Sequence, residues 1–230
     1  MALPTAVIRF YIKDSDEDDK LARFMVGKAN MEQLAAANRR SASHLAFIAA
    51  WMAFAASLIH YMDYWPNPQI GYLSWLRALP IVAATFLPLL FAADWTRLRA
   101  PDMQDIHSHY SKSPASGFWI LEFGEKFVGL IALDASTSSR TATIRHFYVQ
   151  EPYPASNIQN DLLSHALNHC FSSSKVQQIT TIESPLVPYA REALRKAGFV
   201  LEKTTETVGV FGWKLVASSL QRAVWEKKRS

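Results

Sequence analysis

Most of this chain alternates apolar and polar positions with the short periods of strands and helices, but two stretches have no polar face at all. Residues 6–11, AVIRFY, are rich in β-formers and predict a strand. The run KDSDEDD opens a helix that reaches about Arg40. Ser15, Asp16, Glu17, Asp18 and Asp19 stand at its start, where carboxylates complement the exposed amides. Leu21, Phe24 and Met25 give that helix an apolar stripe. A second short helix is predicted over 102–110. FWILEF (118–123) and FVGLIAL (127–133) then read as strands joined by a tight turn at Gly124, Glu125 and Lys126, and ATIRHFYV (142–149) as a third strand. A helix over 155–171 puts Ile158, Leu162, Leu163, Ala166 and Leu167 on one face. VQQITTIES (176–184) is a strand, 189–197 a helix closed by Gly198, and FVLEK and then TETVGVFGWKLVA are strands. This order predicts an α+β fold, a mixed and mostly antiparallel sheet flanked by helices.

The two stretches without a polar face interrupt that order. Residues 44–62, HLAFIAAWMAFAASLIHYM, hold no Asp, Glu, Lys or Arg over 19 positions, and residues 78–93, ALPIVAATFLPLLFAA, none over 16. A helix needs about 20 apolar residues to cross about 30 Å of hydrocarbon. The first run meets that length; the second does so by starting near Leu73 and absorbing Arg77 at the interface. Tyr61, Tyr64, Trp65, Tyr72, Trp75 and Trp95 flank the runs as an aromatic belt, and Pro66, Asn67, Pro68 and Gly71 mark a turn between them. The pattern predicts a helical hairpin that spans a membrane or dips deeply into it; a buried helical pair in a soluble protein is the competing reading. Lys28, Arg39 and Arg40 precede the hairpin and Arg97 and Arg99 follow it, which places both chain ends on the cytosolic side. The chain thus divides into 1–43, the hairpin 44–95, the remaining domain 96–217 and a basic tail 218–230.

Composition sharpens this picture. The mean hydropathy of -0.01 over 230 residues averages a membrane-like hairpin with an otherwise ordinary domain. One cysteine, Cys170, excludes an intramolecular disulfide framework and a multi-thiolate zinc site, and it reads as a helix-core residue. His107 and His109 are two apart and share no helix face, so no metal is expected there. The formal charge of +4 and the basic end Arg222, Lys227, Lys228 and Arg229 suit an anionic membrane face or a solvated terminus. No nucleic-acid motif is present.

The strand and helix order resembles the GCN5-related N-acetyltransferases (GNAT). FWILEFGEKFVGLIAL resembles that fold's central hairpin, IRHFYV its acetyl-CoA-lining strand, and LRKAGF its terminal helix with a Gly-Phe pair. A hydrophobic hairpin after the first helix is similar to membrane-anchored members at the endoplasmic reticulum. The family's phosphate loop, Arg/Gln-x-x-Gly-x-Gly/Ala, falls on Pro154, Asn157 and Gln159, so all three key positions differ. Asn tolerates the left-handed backbone, whereas Gln159 puts a side chain where glycine allows close approach.

The resemblance implies acetyl-CoA as co-substrate, held by Phe147, Tyr148 and Val149 of the strand and by Ala155, Ser156, Asn157, Ile158 and Gln159 of the loop. The family's acid tyrosine falls on Leu194; Tyr189, five residues earlier, is the substitute. His146 and Glu151 are the candidate bases, His146 alternatively being a packed sheet residue, and Glu183 is a further carboxylate to consider. The expected function is a membrane-anchored acyl-CoA N-acyltransferase that acetylates an amine of a small molecule or a lysine. The alternative is a catalytically inactive GNAT-like protein that serves as an assembly or export factor for a transporter of the endoplasmic reticulum.

Overall fold

The computed structural model describes residues 6–11, 16–42, 45–65, 73–90, 102, 104–124, 126–135, 140–150, 153, 157–173, 175–208 and 213–229. They form two compact units, one of residues Met1–Asn30, Trp95–Thr207 and Trp213–Ser230, the other of Met31–Asp94 and Val208–Gly212.

The larger unit is a seven-stranded sheet with helices on both faces. Its strands are β1 (Ala6–Phe10), β2 (Gly117–Phe123), β3 (Lys126–Asp134), β4 (Thr141–Val149), β5 (Gln178–Glu183), β6 (Val200–Val208) and β7 (Trp213–Gln221), in the order β1-β2-β3-β4-β5-β7-β6. Of the registered pairs only β4 with β5 is parallel. The β2–β3 turn forms as expected, with Gly124 at φ 65°. One face is covered by α5 (Ile158–Ser172) and α6 (Pro188–Ala197), which bring Leu162, Leu163, Leu167 and Leu194 onto Trp119, Ile131 and Val149. The other is covered by α1 (Asp16–Ala42) and the short α4 (Ile106–Tyr110), which bring Ala22, Met25, Val26 and Ile106 onto Phe118, Ile120 and Leu130. Arg9 ties three elements together, giving two hydrogen bonds to Asp18 (2.6 and 2.9 Å) and one to Glu122 (2.8 Å). Asp19 accepts from Arg23 and Tyr11, so this part of the acidic run is held in an ion pair and a hydrogen bond.

The structure corrects several expectations. Phe24 is exposed; the buried stripe of α1 is Ala22, Met25 and Val26. The helix expected from 155 begins at Ile158. The last two strands divide between 208 and 213, not after FVLEK: β6 runs on through the threonines to Val208 and neighbours β7. The segment 218–230 contains the end of β7 and the helix α7 (Arg222–Arg229); Ser218, Ser219, Leu220 and Trp225 are buried, while Lys227 and Lys228 are exposed.

The smaller unit contains α2 (Leu45–Tyr61) and α3 (Leu73–Leu90), which are packed as an antiparallel pair. Small residues line their contact: Ala55 and Ala78 are buried, and Trp51 Nε1 donates to Thr85 Oγ1 at 3.2 Å. The hairpin is therefore present, but its spanning role is not supported: among the described residues no helix is long and apolar enough to cross a membrane. The physical reason is length and sequence. α2 has 17 residues, or about 26 Å of rise. α3 reaches 18 only by including Arg77.

Candidate active site

The site begins with an irregularity in β4. Leu133 of β3 faces Ile144 and Ala132 faces His146, so Arg145 is an extra residue on β4. Such a bulge bends its strand and turns the following side chains over. The last β4–β5 pair, Ile144 with Thr181, lies immediately before it. Beyond that point β4 stays with β3, while Ile182 and Glu183 of β5 stay with β7. The sheet splits into two halves, and a gap opens between β4 and β5.

Backbone polarity in the gap follows from one hydrogen bond. Gln150 N–H donates to Val128 O at 2.8 Å, so Gln150 faces β3. Peptide groups alternate along a strand, which leaves those of Val149 and Phe147 facing the gap. Tyr189, in the first turn of α6, reaches across it: Val149 N–H donates to the Tyr189 hydroxyl at 3.1 Å, and the two rings of Phe147 and Tyr189 lie edge to face at 6.5 Å.

His146 lies on the other face of β4, since neighbouring strand residues point opposite ways. Its Nε2 is 2.7 Å from Asp102 Oδ2, and Tyr110 O–H donates to the same oxygen at 2.8 Å. Burial would raise the Asp102 carboxyl, but the hydrogen bond and charge of His146 and the bond from Tyr110 outweigh it and hold the group at about 2. An ionised carboxylate only accepts, so the proton sits on His146 Nε2 and the Nδ1 lone pair is left as the basic atom. Burial beside this carboxylate pushes the Tyr110 phenol far above its ordinary value. A second pair lies beside the first: His109 Nε2 is 3.1 Å and Arg145 3.4 Å from the buried Asp134.

At the remaining end of the gap, α5 starts with Asn157 in the left-handed region at φ 60° and ψ 10°. Asparagine tolerates this left-handed backbone better than most residues. Ile158 and Gln159 are buried in the first turn, and Gln159 Oε1 and Asn160 Oδ1 are buried without a partner among the described residues. An orphaned buried acceptor is costly unless a donor arrives. The pantetheine arm of acetyl-CoA brings amide N–H groups, and the first-turn amides of a helix suit its phosphates. On these grounds the residues fit acetyl-CoA.

The structure therefore brings Phe147, Val149 and Tyr189 together at the gap, with Asn157, Ile158 and Gln159 at the head of α5. His146 sits across the strand, and Tyr148 is packed into the core beside Tyr110. Glu151, Ala155 and Ser156 lie outside the described residues. Glu183 is buried and faces Arg191 at 3.8 Å. Leu194 is buried in the core, so the family's acid position carries no proton here. Cys170 is fully buried, and burial pushes its thiol to about 12. Sequence reasoning missed Asp102, Tyr110 and Asp134; an Asp and a His 44 residues apart carry no local signal of their pairing.

No known family profile and no curated protein matches the sequence. Solved structures do. The spermidine N-acetyltransferase from Vibrio cholerae, in complex with CoA and spermine, is similar with a TM-score of 0.52 at 11% identity, over 96% of this chain and 98% of that one. The chain has the GNAT fold. An acetyltransferase from Streptococcus agalactiae aligns with a TM-score of 0.49 at 14% identity, over 94% of this chain and 98% of that one. Ard1 from Thermoplasma volcanium aligns at 0.46 and 17%, over 57% and 82%. At such identities the likeness concerns the GNAT architecture, and the chemistry rests on this chain's own residues.

Proposed function

We propose that the chain is an N-acetyltransferase that uses acetyl-CoA to acetylate an amine. The observation that carries this reading is the split between β4 and β5, with the His146–Asp102 pair on one side of β4 and the Val149 amide with the Tyr189 hydroxyl on the other. Acetyl-CoA, when bound, supplies an activated acetyl thioester. His146 Nδ1 takes the proton that the attacking amine must lose, directly or through water, while Asp102 fixes the ring and stabilises the imidazolium. The Val149 N–H, once the Tyr189 hydroxyl turns from it towards the departing sulfur, polarises the carbonyl as negative charge develops on its oxygen. Tyr189 Oη returns a proton to the departing thiolate. The acceptor is an amine of a small molecule or a lysine, in keeping with the amine ligand of the Vibrio neighbour.

The test is release of CoA thiol by purified protein given acetyl-CoA and a panel of polyamines, aromatic amines and lysine peptides. His146→Ala should abolish it. Acetyl-CoA at 100 times its dissociation constant should also raise stability by about 2.7 kcal/mol. No stabilisation at millimolar acetyl-CoA overturns the proposal.

A second reading, an inactive scaffold for a membrane partner such as a transporter of the endoplasmic reticulum, is favoured by the buried Gln159 side chain and by Tyr189 already holding the Val149 amide. Co-purification of a partner, with no acetyl-CoA binding, would support it.

The α2–α3 hairpin is proposed to rest in the interfacial layer of a membrane, with the endoplasmic reticulum as the expected one and the catalytic unit cytosolic. Leu45, Met52, Phe54, Leu76 and Leu79 are all more than half exposed, a costly arrangement in water. Replacing 44–95 by a short Gly-Ser linker should abolish flotation with anionic vesicles; unchanged flotation would exclude this role.

A further inference from the structure

A cavity of about 280 Å³ lies where the end of β1 meets the start of β2, apart from the β4–β5 gap. Its wall includes Phe10, Tyr11, Tyr110 and Phe118. Phe118 pairs with Ala132, and Ala132 with His146, so the cavity lies two strand spacings, roughly 10 Å, from the catalytic strand. Tyr110 and Asp102 stand at that side, which makes this a separate site rather than an extension of the gap.

Three features define what would fit. The first is a rigid aromatic surface. Phe10 is half exposed, yet its ring is fixed 5.2 Å from Trp119 and 5.4 Å from His169. Tyr11 and Tyr110 each meet Phe118 edge to face, at 5.6 and 5.5 Å. The second is a buried donor. Ser116 is 5% exposed and its Oγ accepts from Ala135 N–H at 2.8 Å. A hydroxyl that accepts still has one hydrogen to give, and no partner takes it among the described residues. The third is the lack of formal charge: among the described residues no Lys, Arg, Asp or Glu lines the cavity. Among the described lining residues phosphates and carboxylates find no cation, and a protonated amine finds no carboxylate and meets the imidazoles of His107 and His169.

We infer that this cavity binds a small, neutral, flat aromatic molecule of one or two fused rings whose acceptor atom takes the Ser116 hydroxyl proton. The ring lies against Phe10 at the cavity wall. The volume is at the low end for ligand sites, which limits the occupant to a fragment of this size.

The probe is 2-quinolone, titrated into the full-length protein and followed by calorimetry and by its effect on the melting curve. Saturable binding is expected, weakened about tenfold by Phe10→Ala, which removes the ring surface, and by Ser116→Ala, which removes the donor. Decahydroquinolin-2-one keeps the acceptor and loses the aromatic plane, so it should bind at least tenfold more weakly. If Ser116→Ala fails to fold, Ser113→Phe at the cavity rim replaces it and should block binding. No saturable binding at millimolar probe, or binding unchanged by Phe10→Ala and by the serine variant, overturns the inference. Acetyl transfer does not enter the readout, so this result stands apart from the proposed reaction.

Discussion

At the scale of single residues, the site depends on which atom carries which proton. Asp102 is held at about 2 against an ordinary value of 3.8. A carboxyl depressed in the folded state stabilises the fold above the unfolded value, and that contribution fades as pH falls from about 4 towards 2. The shift corresponds to about 2 kcal/mol. Asp102→Asn should therefore lower the denaturation free energy by about that amount at pH 6, and the gap should close by pH 2; a gap constant over this range contradicts the assignment. The same variant should lower kcat about a hundredfold, because the Asn amide can donate to His146 Nε2 and move the ring proton onto Nδ1, the basic atom. Tyr189→Phe removes the acceptor from Val149 N–H. It should cost about 1 kcal/mol and lower kcat more than it raises KM for acetyl-CoA, as steady-state kinetics would show. Cys170 should react with thiol reagents only on unfolding, since the thiol is buried and pushed to about 12. The chemistry of His146 and Tyr189 was legible in residue type and in likeness to a family. Their partners were not, because Asp102 and Val149 are distant in sequence.

At the scale of elements, β4 carries the site because it changes partners. Its first four residues pair with β5, Thr143 and Ile144 also with β3, and after Arg145 it pairs with β3 alone. Close β3–β4 packing maintains this: a Cβ on Gly129 would lie 2.7 Å from Tyr148 O. Gly129→Ala should force the strands apart where β4 borders the gap, costing about 1–3 kcal/mol by chemical denaturation, with a parallel loss of acetyl-CoA affinity. The ion-paired Arg9 joins β1, β2 and α1 in the same way, so the edge strand is pinned by charge as well as by its ladder. Short runs of β-formers bounded by turn residues located the strands well, since β2 and β3 are buried on both faces and read as continuous apolar segments. The bulge was not visible, as a single extra residue leaves IRHFYV reading as a continuous strand.

At the scale of the whole molecule, the end of the chain is structural. Ser218 to Leu220 of β7 pair with β5, and Trp225 of α7 packs into the core beside Phe171 and Leu220. Trp225→Ala should cost about 3 kcal/mol. A chain ending at residue 217 should fail to give a cooperative unfolding transition, because it loses Ser218–Gln221, which pair with Gln178–Thr181 of β5, together with the buried Trp225. The sequence by itself determined the element types, the α+β class and the position of the uncharged hairpin, because hydrophobic periodicity and turn chemistry act over a few neighbouring residues. Only the tertiary structure decided the rest. It buried Ser218, Leu220 and Trp225 near the end of the chain, and brought Asp102 and Tyr110 to His146 and Tyr189 to Val149. These outcomes depend on contacts between residues 8 to 44 apart, where strand order and packing, not local pattern, select the partner.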